Sequence, residues 1–359
     1  MIPVRGPRCT AKDISCFSWN IQAGWKVFTP CPIFQKLPES ERMRLRVLYH
    51  DHCFDGAASA AYFSRFMRGA VHPDAEFLYT GMAHRASQIF EDSLFDGDVN
   101  AIVDFKYSSN PKLTWWFDHH QSAFLTPEDA RHFQEEHSPT KMFDPSYKSC
   151  TSYISDMARQ KWGFTAPDLD DLVYWANIVD GAQYPDARTA VTLGAPAMKL
   201  TLVVESSKGS ETVQKLIGYM QRMPLAEIVE LPDIQEVFKP LYERHLKSMN
   251  VIRERAGESG GVITFDLTGC DLEGYNKFIP YYLHPEGIYT VSVSPSSFRT
   301  KISVGSNPWA PVEPTHNLAS ICERYGGGGH ARVGAISLEP GQVDEARRIA
   351  AEVAAELRT

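Results

Sequence analysis

From residue 45 onwards, short apolar runs alternate along the chain with longer stretches in which apolar residues recur at helical spacing. The short runs have the length and the β-branched or aromatic content of buried strands. The first four runs are 45–49, 76–79, 101–105 and 113–117. Because the intervening stretches are long enough for crossover helices, we predict a mainly parallel, doubly wound α/β sheet.

Helical spacing accounts for most of the remaining chain before residue 257. An alanine-rich stretch at 56–67 and aromatic-rich stretches at 149–162 and 169–179 predict helices that pack on the sheet. Residues 196–256 are charged and helical in pattern, with few strand signals. We interpret this segment as a helical connector.

Strand-like apolar runs occur again after Gly260, and two stretches with helical spacing follow them. The strand-like runs are 262–267, 288–293 and 301–304, and the helical stretches are 316–324 and 343–357. The last stretch repeats apolar residues at helical spacing along one stripe. The pattern predicts a second, smaller α/β domain at 257–359, after a first α/β domain at 44–195.

The first 43 residues show neither strand nor helix periodicity, and they are rich in proline. We expect a poorly ordered extension at 1–43. Cys9, Cys16 and Cys31 lie in it at spacings that match no zinc pattern. A metal or disulfide knot is the alternative interpretation.

Composition and charge narrow the class of protein. A chain of 359 residues with 43% hydrophobic residues can bury the cores of two domains of roughly 150 residues each. The formal net charge of -8 argues against a general basic surface that coats long nucleic acid duplexes, although it leaves room for a local basic pocket. We find no apolar run of the ~18 residues that a membrane span needs. Seven cysteines, an odd number, indicate a reduced, cytoplasmic protein rather than a disulfide framework.

Carboxylates and imidazoles cluster at the predicted ends of strands and of one helix. Ligands of open α/β sheets gather outside the carboxyl ends of the strands, so these clusters predict a metal site. Mixed oxygen and nitrogen donors favour Mn, Zn or Fe over Ca. The clusters are His50 with Asp55, then Asp104, then Asp118-His119-His120, and finally Asp180.

A glycine run precedes a histidine near the C-terminus, in Tyr325-Gly326-Gly327-Gly328-Gly329-His330. Glycines let the backbone approach a ligand and direct N–H groups towards it, but four of them are equally typical of a flexible turn. The run is not a Walker loop, because no Lys-Ser/Thr pair follows, and it lacks the G-x-G-x-x-G spacing.

Together these elements resemble the DHH phosphoesterase superfamily. They occur in the family's order: His50…Asp55-Gly56, Asp104, Asp118-His119-His120, Asp180, and Gly327-Gly328-Gly329-His330. The glycine–histidine element resembles the DHH-associated C-terminal domain of nanoRNA phosphodiesterases and RecJ-like exonucleases. The resemblance spans residue 45 to the C-terminus, and it implies a DHH catalytic domain at 44–195 and a DHH-associated substrate-binding domain at 257–359.

Carried over by position, the resemblance implies a two-metal site that usually holds manganese. His50 would bind the first ion, and Asp55 the second. Asp104 would bridge the two ions, while His119 and Asp180 would complete the second site. Two ions about 3.5–4 Å apart suit phosphoester hydrolysis, because they can activate a water molecule and neutralise charge.

The resemblance also implies roles beside the metals. Asp118 would orient the histidine pair, and His120 would act at the scissile phosphate as an electrostatic stabiliser or proton donor. His330, together with the glycine backbone at 327–329, would hold the far phosphate or base. Arg299 resembles the arginine with which the family grips substrate phosphate.

One position departs from the family pattern. Cys53 stands where the first motif usually has a second carboxylate, two residues before Asp55. The cysteine is either a small packing residue or a thiolate ligand that softens the first metal site. The first site is therefore predicted to be weak or altered. Cys150 could be imagined as a nucleophile, but no Cys–His motif supports that interpretation.

The resemblance implies a metal-dependent phosphodiesterase or phosphatase that acts on short nucleotides. The candidate substrates are nanoRNA, linear or cyclic dinucleotides and 3′-phosphoadenosine 5′-phosphate. The alternative is a catalytically silent nucleotide-binding protein on the same fold, which the Cys53 replacement motivates. Long duplexes and membranes are not expected partners, and a homodimer is compatible with the sequence.

Overall fold

The computed structural model describes residues 42–83, 90–207, 210–272 and 274–359. Apart from its last two residues, the extension predicted at 1–43 lies outside the described residues, as do Cys9, Cys16 and Cys31. Within the described ranges, no helix combines the length and the apolar character that crossing a membrane requires.

The first sheet has five strands, and every pair in it is parallel. Its order is β2-β1-β3-β4-β5. Side chains from β1 enter hydrophobic clusters on both faces of the sheet, which explains why the strands appear as continuous apolar runs. The predicted parallel α/β sheet is therefore confirmed. The strands are β1 Arg44–His50, β2 Glu76–Met82, β3 Val99–Val103, β4 Leu113–Asp118 and β5 Lys141–Phe143.

Helices cover this sheet, and the first of them is almost completely buried. Its alanines allow close approach of β1 and of the third and fourth helices. The helices are α1 Phe54–Phe66, which a π-helical turn at Met67–Val71 extends, α2 Pro127–Glu136, α3 Cys150–Trp162 and α4 Asp170–Asp180. The pattern did not predict α2, because the helix buries none of its residues and so carries no apolar stripe.

The segment predicted as a helical connector is helical, and it adds to the core of the first sheet. Buried side chains of its helices, among them Leu200, Leu216 and Ile217, belong to the same hydrophobic cluster as Val47 of β1. The segment thus does more than join two domains. Its helices are α6 Pro196–Ser206, α7 Ser210–Met220, α8 Leu225–Ile228 and α9 Pro232–Arg255, and the short α5 Ala187–Thr192 precedes them.

A second sheet of six strands follows, in the order β10-β11-β9-β8-β7-β6. Only β7 and β8 pair in parallel. The smaller C-terminal α/β domain is thus confirmed, and its sheet is mixed. The strands are β6 Gly257–Ser259, β7 Val262–Asp266, β8 Tyr289–Pro295, β9 Thr300–Ser306, β10 Gly328–His330 and β11 Val333–Leu338. The helices are α10 Ile279–Leu283, α11 Leu318–Glu323 and α12 Val343–Leu357.

The amphipathic stripe predicted for the last helix packs on this sheet. Ala346, Ile349, Val353 and Leu357 of α12 share a buried cluster with Val291 of β8. The glycine run, in contrast, is not a free loop, because part of it forms strand β10 and pairs with β11. Glycine has a low strand propensity, so the pattern of apolar residues carried no signal for β10.

Candidate metal centre

Parallel pairing brings three of the predicted clusters to one edge of the first sheet. Strands β1, β3 and β4 are neighbours, and their carboxyl ends carry His50, Asp104 and Asp118. His119 follows Asp118, and Asp180 ends α4 close to the same edge. Ligands of open α/β sheets bind at this edge. The structure therefore brings together side chains that are separated by up to 130 residues in the chain.

Asp104 lies at the middle of this group and is fully buried. Its Oδ2 lies 3.3 Å from Nδ1 of His50, and its Oδ1 lies 3.4 Å from Nε2 of His119. Neither carboxylate oxygen has a hydrogen-bond partner of acceptable geometry among the described residues. The two oxygens thus face two different imidazoles, so this one carboxylate could contact two cations.

A second set of donors surrounds His119. Its Nε2 lies 3.4 Å from Oδ2 of Asp180 and 3.7 Å from Oδ2 of Asp55. The other ring nitrogen, Nδ1, lies 3.0 Å from the carbonyl oxygen of Tyr147. If Nδ1 carries the proton and donates it to that carbonyl, Nε2 is left as the metal ligand.

Asp55 is held in place by the beginning of α3. Its carboxylate accepts hydrogen bonds from the backbone N–H groups of Cys150 (2.6 Å) and Thr151 (3.1 Å) and from the Thr151 hydroxyl (2.6 Å). The positive end of the helix dipole favours a carboxylate there. The sequence analysis did not identify this support, although Ser149 at the N-cap of α3 marks where the helix begins.

Gly56 allows α1 to begin directly beneath β1. A Cβ at this position would lie 2.0 Å from the carbonyl oxygen of His50, so only glycine fits. The two residues of the Asp55-Gly56 motif are thus needed for two separate physical reasons. The aspartate supplies a donor, and the glycine lets the helix that carries it approach the strand that carries His50.

Backbone strain is concentrated at the same edge. Among the described residues, five that are not glycine have positive φ, and three of these are His52 (56°), Asp104 (57°) and Ala182 (48°). Such conformations cost of order 1–3 kcal/mol each, and they cluster at functional sites. At Asp104 the strained turn directs the side chain back towards β1 and the His119 turn.

The charges of this group depend strongly on one another. Burial would raise the pKa of Asp104, but the imidazoles of His119 and His50 hold it well below its usual range. Burial opposes a charge on His119, yet Asp104 and Asp55 raise the pKa of His119 to about 10. Burial, and after it the charge of Asp104, raise the pKa of Asp55 and Asp180. Three carboxylates crowded around His119, with both Asp104 oxygens lacking a hydrogen-bond partner among the described residues, therefore fit a divalent cation.

Asp118 shapes the turn that presents the two histidines. One of its oxygens lies 2.7 Å from Nδ1 of His120 and accepts the backbone N–H groups of His119 (2.8 Å) and His120 (3.2 Å). Burial opposes the charge of His120, but this contact with Asp118 raises its pKa to about 9. The Asp118 contact thus favours the protonated form of His120, and Nε2 is its ring nitrogen away from Asp118.

The structure also places Cys53 at this edge. Its Sγ lies 4.0 Å from Oδ1 of Asp180, and it forms a further set of potential metal donors with His50 and Asp104. A third set, Asp104 with His119 and His120, also has its donor atoms within 4.8 Å of one another. Asp104 is common to these two sets.

A cavity of about 970 Å³ lies against the C-terminal sheet. Arg299, Gly328 and Gly329, which the resemblance names as substrate-binding residues, line it. Lys277, Lys301 and Arg332 also line it, and the sequence analysis missed them because they are scattered along the chain. Burial, and then the positive charge of Arg299, lower the pKa of Lys301. Crowded cations of this kind suit an anionic ligand.

The cavity continues towards the metal donors. A second cavity, of about 460 Å³, is lined by Asp180 and shares Ala182, Tyr275, Lys277 and Phe278 with the first. A ligand that spans both cavities would extend from the sheet edge to the cationic residues. The geometry therefore joins the two regions that the sequence analysis assigned to chemistry and to substrate binding.

The glycine run, which is a predicted binding element, is also needed for strand pairing. A Cβ on Gly327 would lie 2.3 Å from the carbonyl oxygen of Ala335, and one on Gly329 would lie 2.2 Å from that of Val333. Strand pairing therefore requires these two glycines, whereas Gly328 has open space. His330 is exposed, and neither His330 nor Gly327 lines the two cavities.

This chain is similar to known proteins in its fold. No family model matches the chain, and no curated protein matches it. A solved structure of the pGpG-specific phosphodiesterase PggH, given as from Vibrio cholrae, is 17% identical over 88% of this chain and 99% of that one, with a TM-score of 0.65. The DHH domain of a member of the s1p family of ribosomal proteins is 12% identical over 87% and 86% of the two chains, with a TM-score of 0.50.

A parallel α/β domain that collects carboxylates and imidazoles at its carboxyl edge, followed by a mixed C-terminal sheet, defines the class of this protein. The chain has the fold of the DHH-domain proteins. The resemblance inferred from the order of the motifs is thus confirmed at the level of the fold.

Proposed function

We propose that this chain is a metal-dependent phosphoesterase that hydrolyses phosphodiester or phosphomonoester bonds of short nucleotides. The observation that carries the proposal is the pair of donor sets around Asp104. This carboxylate is fully buried, has unpaired oxygens and faces His50 on one side and His119 on the other. Buried polar groups without partners are rare in folded proteins, and they cluster where a ligand binds.

Two divalent cations, manganese in the first instance, would be held at this edge. His50 and Asp104 would hold the first, and Asp55, His119 and Asp180 the second, with Asp104 shared. When bound, such cations neutralise phosphate charge and make a nucleophile available from water at neutral pH. The hydrogen bonds from α3 to Asp55 would favour its ionised form, against the burial that raises its pKa, and would orient the carboxylate.

The chain itself supplies the proton chemistry. With Nδ1 of His120 engaged by Asp118, its Nε2 is the ring nitrogen that would donate a hydrogen bond to a phosphoryl oxygen. The contact with Asp118, which raises the pKa of His120 to about 9, favours the protonated imidazole. His120 would therefore stabilise negative charge on the phosphate and supply a proton to the leaving oxygen.

The cavity against the C-terminal sheet supports a small, anionic, aromatic substrate. Its volume of about 970 Å³ is at the upper end of small-molecule sites. Lys277, Arg299, Lys301 and Arg332 supply positive charge, although Glu313 pairs with Arg332. Phe298, which is 69% exposed at the wall of the cavity, offers a face on which a base could stack.

Among the candidate substrates we place linear dinucleotides first. PggH, whose fold this chain shares, is named as specific for pGpG. A dinucleotide also matches the two joined cavities, one beside Asp180 and one beside Arg299. NanoRNA, cyclic dinucleotides and 3′-phosphoadenosine 5′-phosphate are the further candidates. We also propose a cytoplasmic location and no binding of long duplexes, and sedimentation analysis would decide between monomer and homodimer.

The test is a hydrolysis panel with purified protein. The protein would be stripped of metal, reloaded with Mn²⁺ or Mg²⁺, and incubated with pGpG, trinucleotides, cyclic dinucleotides and 3′-phosphoadenosine 5′-phosphate. Asp104→Asn should lower turnover of the preferred substrate by at least ~100-fold, about 2.7 kcal/mol of transition-state stabilisation. The matched control, Asp74→Asn, alters an exposed aspartate and should stay within about twofold.

Two outcomes would contradict the proposal. Nucleotide binding without hydrolysis under every metal would favour the catalytically silent nucleotide-binding protein. A folded Asp104→Asn protein with parental turnover would remove the buried carboxylate from the chemistry.

A further inference from the structure

We infer that the Cys53 thiolate is a metal ligand, and that with His50 and Asp104 it forms a mixed sulfur, nitrogen and oxygen site selective for zinc-like cations over manganese. The inference rests on the proposed use of metal by this edge of the sheet. It goes beyond that proposal because it assigns a ligand and a metal preference.

The donor atoms of these three residues already lie together. One donor atom each from His50, Cys53 and Asp104 lies within 4.8 Å of the other two. Ligands of a tetrahedral zinc ion are roughly 3.3–3.8 Å apart, given zinc–nitrogen and zinc–sulfur bonds of about 2.0 and 2.3 Å. His50 and Asp104, 3.3 Å apart, are already at that spacing. The Cys53 sulfur, within 4.8 Å of both, is the third donor atom of the group.

Asp104 supplies an independent indication that a ligand belongs here. Its side chain is fully buried, and both of its oxygens lack hydrogen-bond partners among the described residues. Leaving such a carboxylate unsatisfied is costly, whereas a cation between it and neighbouring donors compensates it. Because its Oδ1 faces His119, Oδ2 is the oxygen available to a cation shared with His50 and Cys53.

The packing explanation for Cys53 does not agree with where its sulfur lies. Among the described residues, Cys150, Cys270 and Cys322 each pack in or against a hydrophobic cluster, and Cys53 belongs to none. Cys53 occupies the N-cap of α1, yet its side chain makes no capping hydrogen bond. Its Sγ lies 4.0 Å from a carboxylate oxygen of Asp180.

The chemistry of the donor set decides the metal preference. A thiolate is a soft ligand that zinc and ferrous iron bind well, whereas Mn²⁺ prefers carboxylates and water. The set around His119 contains only oxygen and nitrogen donors. The two halves of the centre should therefore differ, with a softer half at Cys53 and a harder half at Asp55 and Asp180.

The experiment measures metal–sulfur bonding directly. All arms use the full chain with Cys9→Ser, Cys16→Ser and Cys31→Ser, so that those thiols contribute no metal–sulfur bonds. Zinc-edge X-ray absorption of the zinc-loaded protein should show one sulfur per chain at about 2.3 Å. Co²⁺ loading should give thiolate-to-cobalt charge-transfer absorption. Both signals should vanish in Cys53→Ala and persist in the matched control Cys270→Ala.

Metal selectivity provides the second readout. Cys53→Asp should still bind metal, should show no metal–sulfur signal, and should lower the ratio of the Mn²⁺ to Zn²⁺ dissociation constants by at least ~10-fold. If Cys53→Ala fails to fold, Cys53→Ser replaces it, because serine preserves the side-chain size. The zinc spectrum of the protein that retains Cys53 also tests the inference without any variant at this position. A zinc spectrum without sulfur, or an unchanged spectrum in Cys53→Ala, would overturn the inference.

The outcomes also separate this inference from the proposed function. Metal–sulfur bonding without nucleotide hydrolysis would refute the phosphoesterase and leave the thiolate ligand standing. Manganese-dependent hydrolysis without metal–sulfur bonding would leave the phosphoesterase standing and make Cys53 a packing residue.

Discussion

The candidate site residues on the two sheets of this protein differ in their burial. At the carboxyl edge of the parallel sheet, Asp55, Asp104 and Asp118 are fully buried, and oxygens of Asp104 and Asp118 find no hydrogen-bond partner in the part of the chain that the structure describes. On the mixed C-terminal sheet, the predicted binding residues Gly329 and His330 are exposed. Burial strengthens every electrostatic interaction and fixes geometry, which suits metal binding and chemistry. Exposure leaves charges screened, which suits recognition and release of an ionic substrate.

From this difference we expect substitutions at the buried edge to lower metal affinity and turnover. Substitutions on the mixed sheet should instead lower substrate affinity. The largest effect is expected from His119→Ala, because its Nε2 is close to three carboxylates. Turnover should fall by at least ~1,000-fold, about 4 kcal/mol. Isothermal titration should show loss of at least one bound Mn²⁺. The control His72→Ala alters a histidine outside the metal donor sets and should keep both properties.

Thr151→Val should have the next largest effect, and it tests the support of Asp55 by α3. The change removes the hydroxyl that donates a 2.6 Å hydrogen bond to a buried carboxylate. The free energy of unfolding of the metal-free protein should fall by about 1–3 kcal/mol, which urea denaturation measures. Thr151→Ser keeps the hydroxyl and should recover most of the loss. Equal stability of the Val and Ser proteins would show that the two backbone N–H groups are sufficient.

Arg299→Ala tests the other side of the comparison. Arg299 lines the larger cavity, and among the described residues its guanidinium donates one hydrogen bond, to the Ser337 hydroxyl at 3.1 Å. Removal of a phosphate-binding guanidinium should raise KM for the preferred nucleotide by about 10-fold, or 1.4 kcal/mol, with little change in Mn²⁺ affinity. The control Lys112→Ala, on the exposed turn before β4, should leave KM unchanged. A fall in kcat at unchanged KM would contradict the assignment of Arg299 to substrate binding alone.

His330→Ala is expected to have the smallest effect of the four. The side chain is exposed at the end of β10 and does not line either cavity, so its contact with substrate would need a closer approach of the two regions. Apparent nucleotide affinity should fall by a few-fold, or roughly 1 kcal/mol, while Mn²⁺ affinity is unchanged. Parental affinity across the nucleotide panel at saturating metal would separate the glycine–histidine element from substrate binding.

The fold and the metal donors could be predicted to different extents. Strong periodicity predicted α12 to its observed ends, Val343–Leu357, and apolar runs predicted β1 and β4 within about a residue. The polar helix α2 and the glycine-containing β10 were missed, because neither buries an apolar stripe of its own. Both are positioned by neighbours in the tertiary structure rather than by their own pattern.

What the sequence by itself determined is the kind of donor and its place at the end of an element. Residue types at predicted element ends indicated a metal site, and the parallel sheet pattern indicated that the ends would meet at one edge. Only the tertiary structure decided which donors face one another, because this depends on strand order, on the strained turn at Asp104 and on the packing of α3 against Asp55. The same holds for Cys53, whose surroundings are carboxylates from distant segments. Spacing along a chain carries no information about contacts between residues 127 positions apart, and packing creates them.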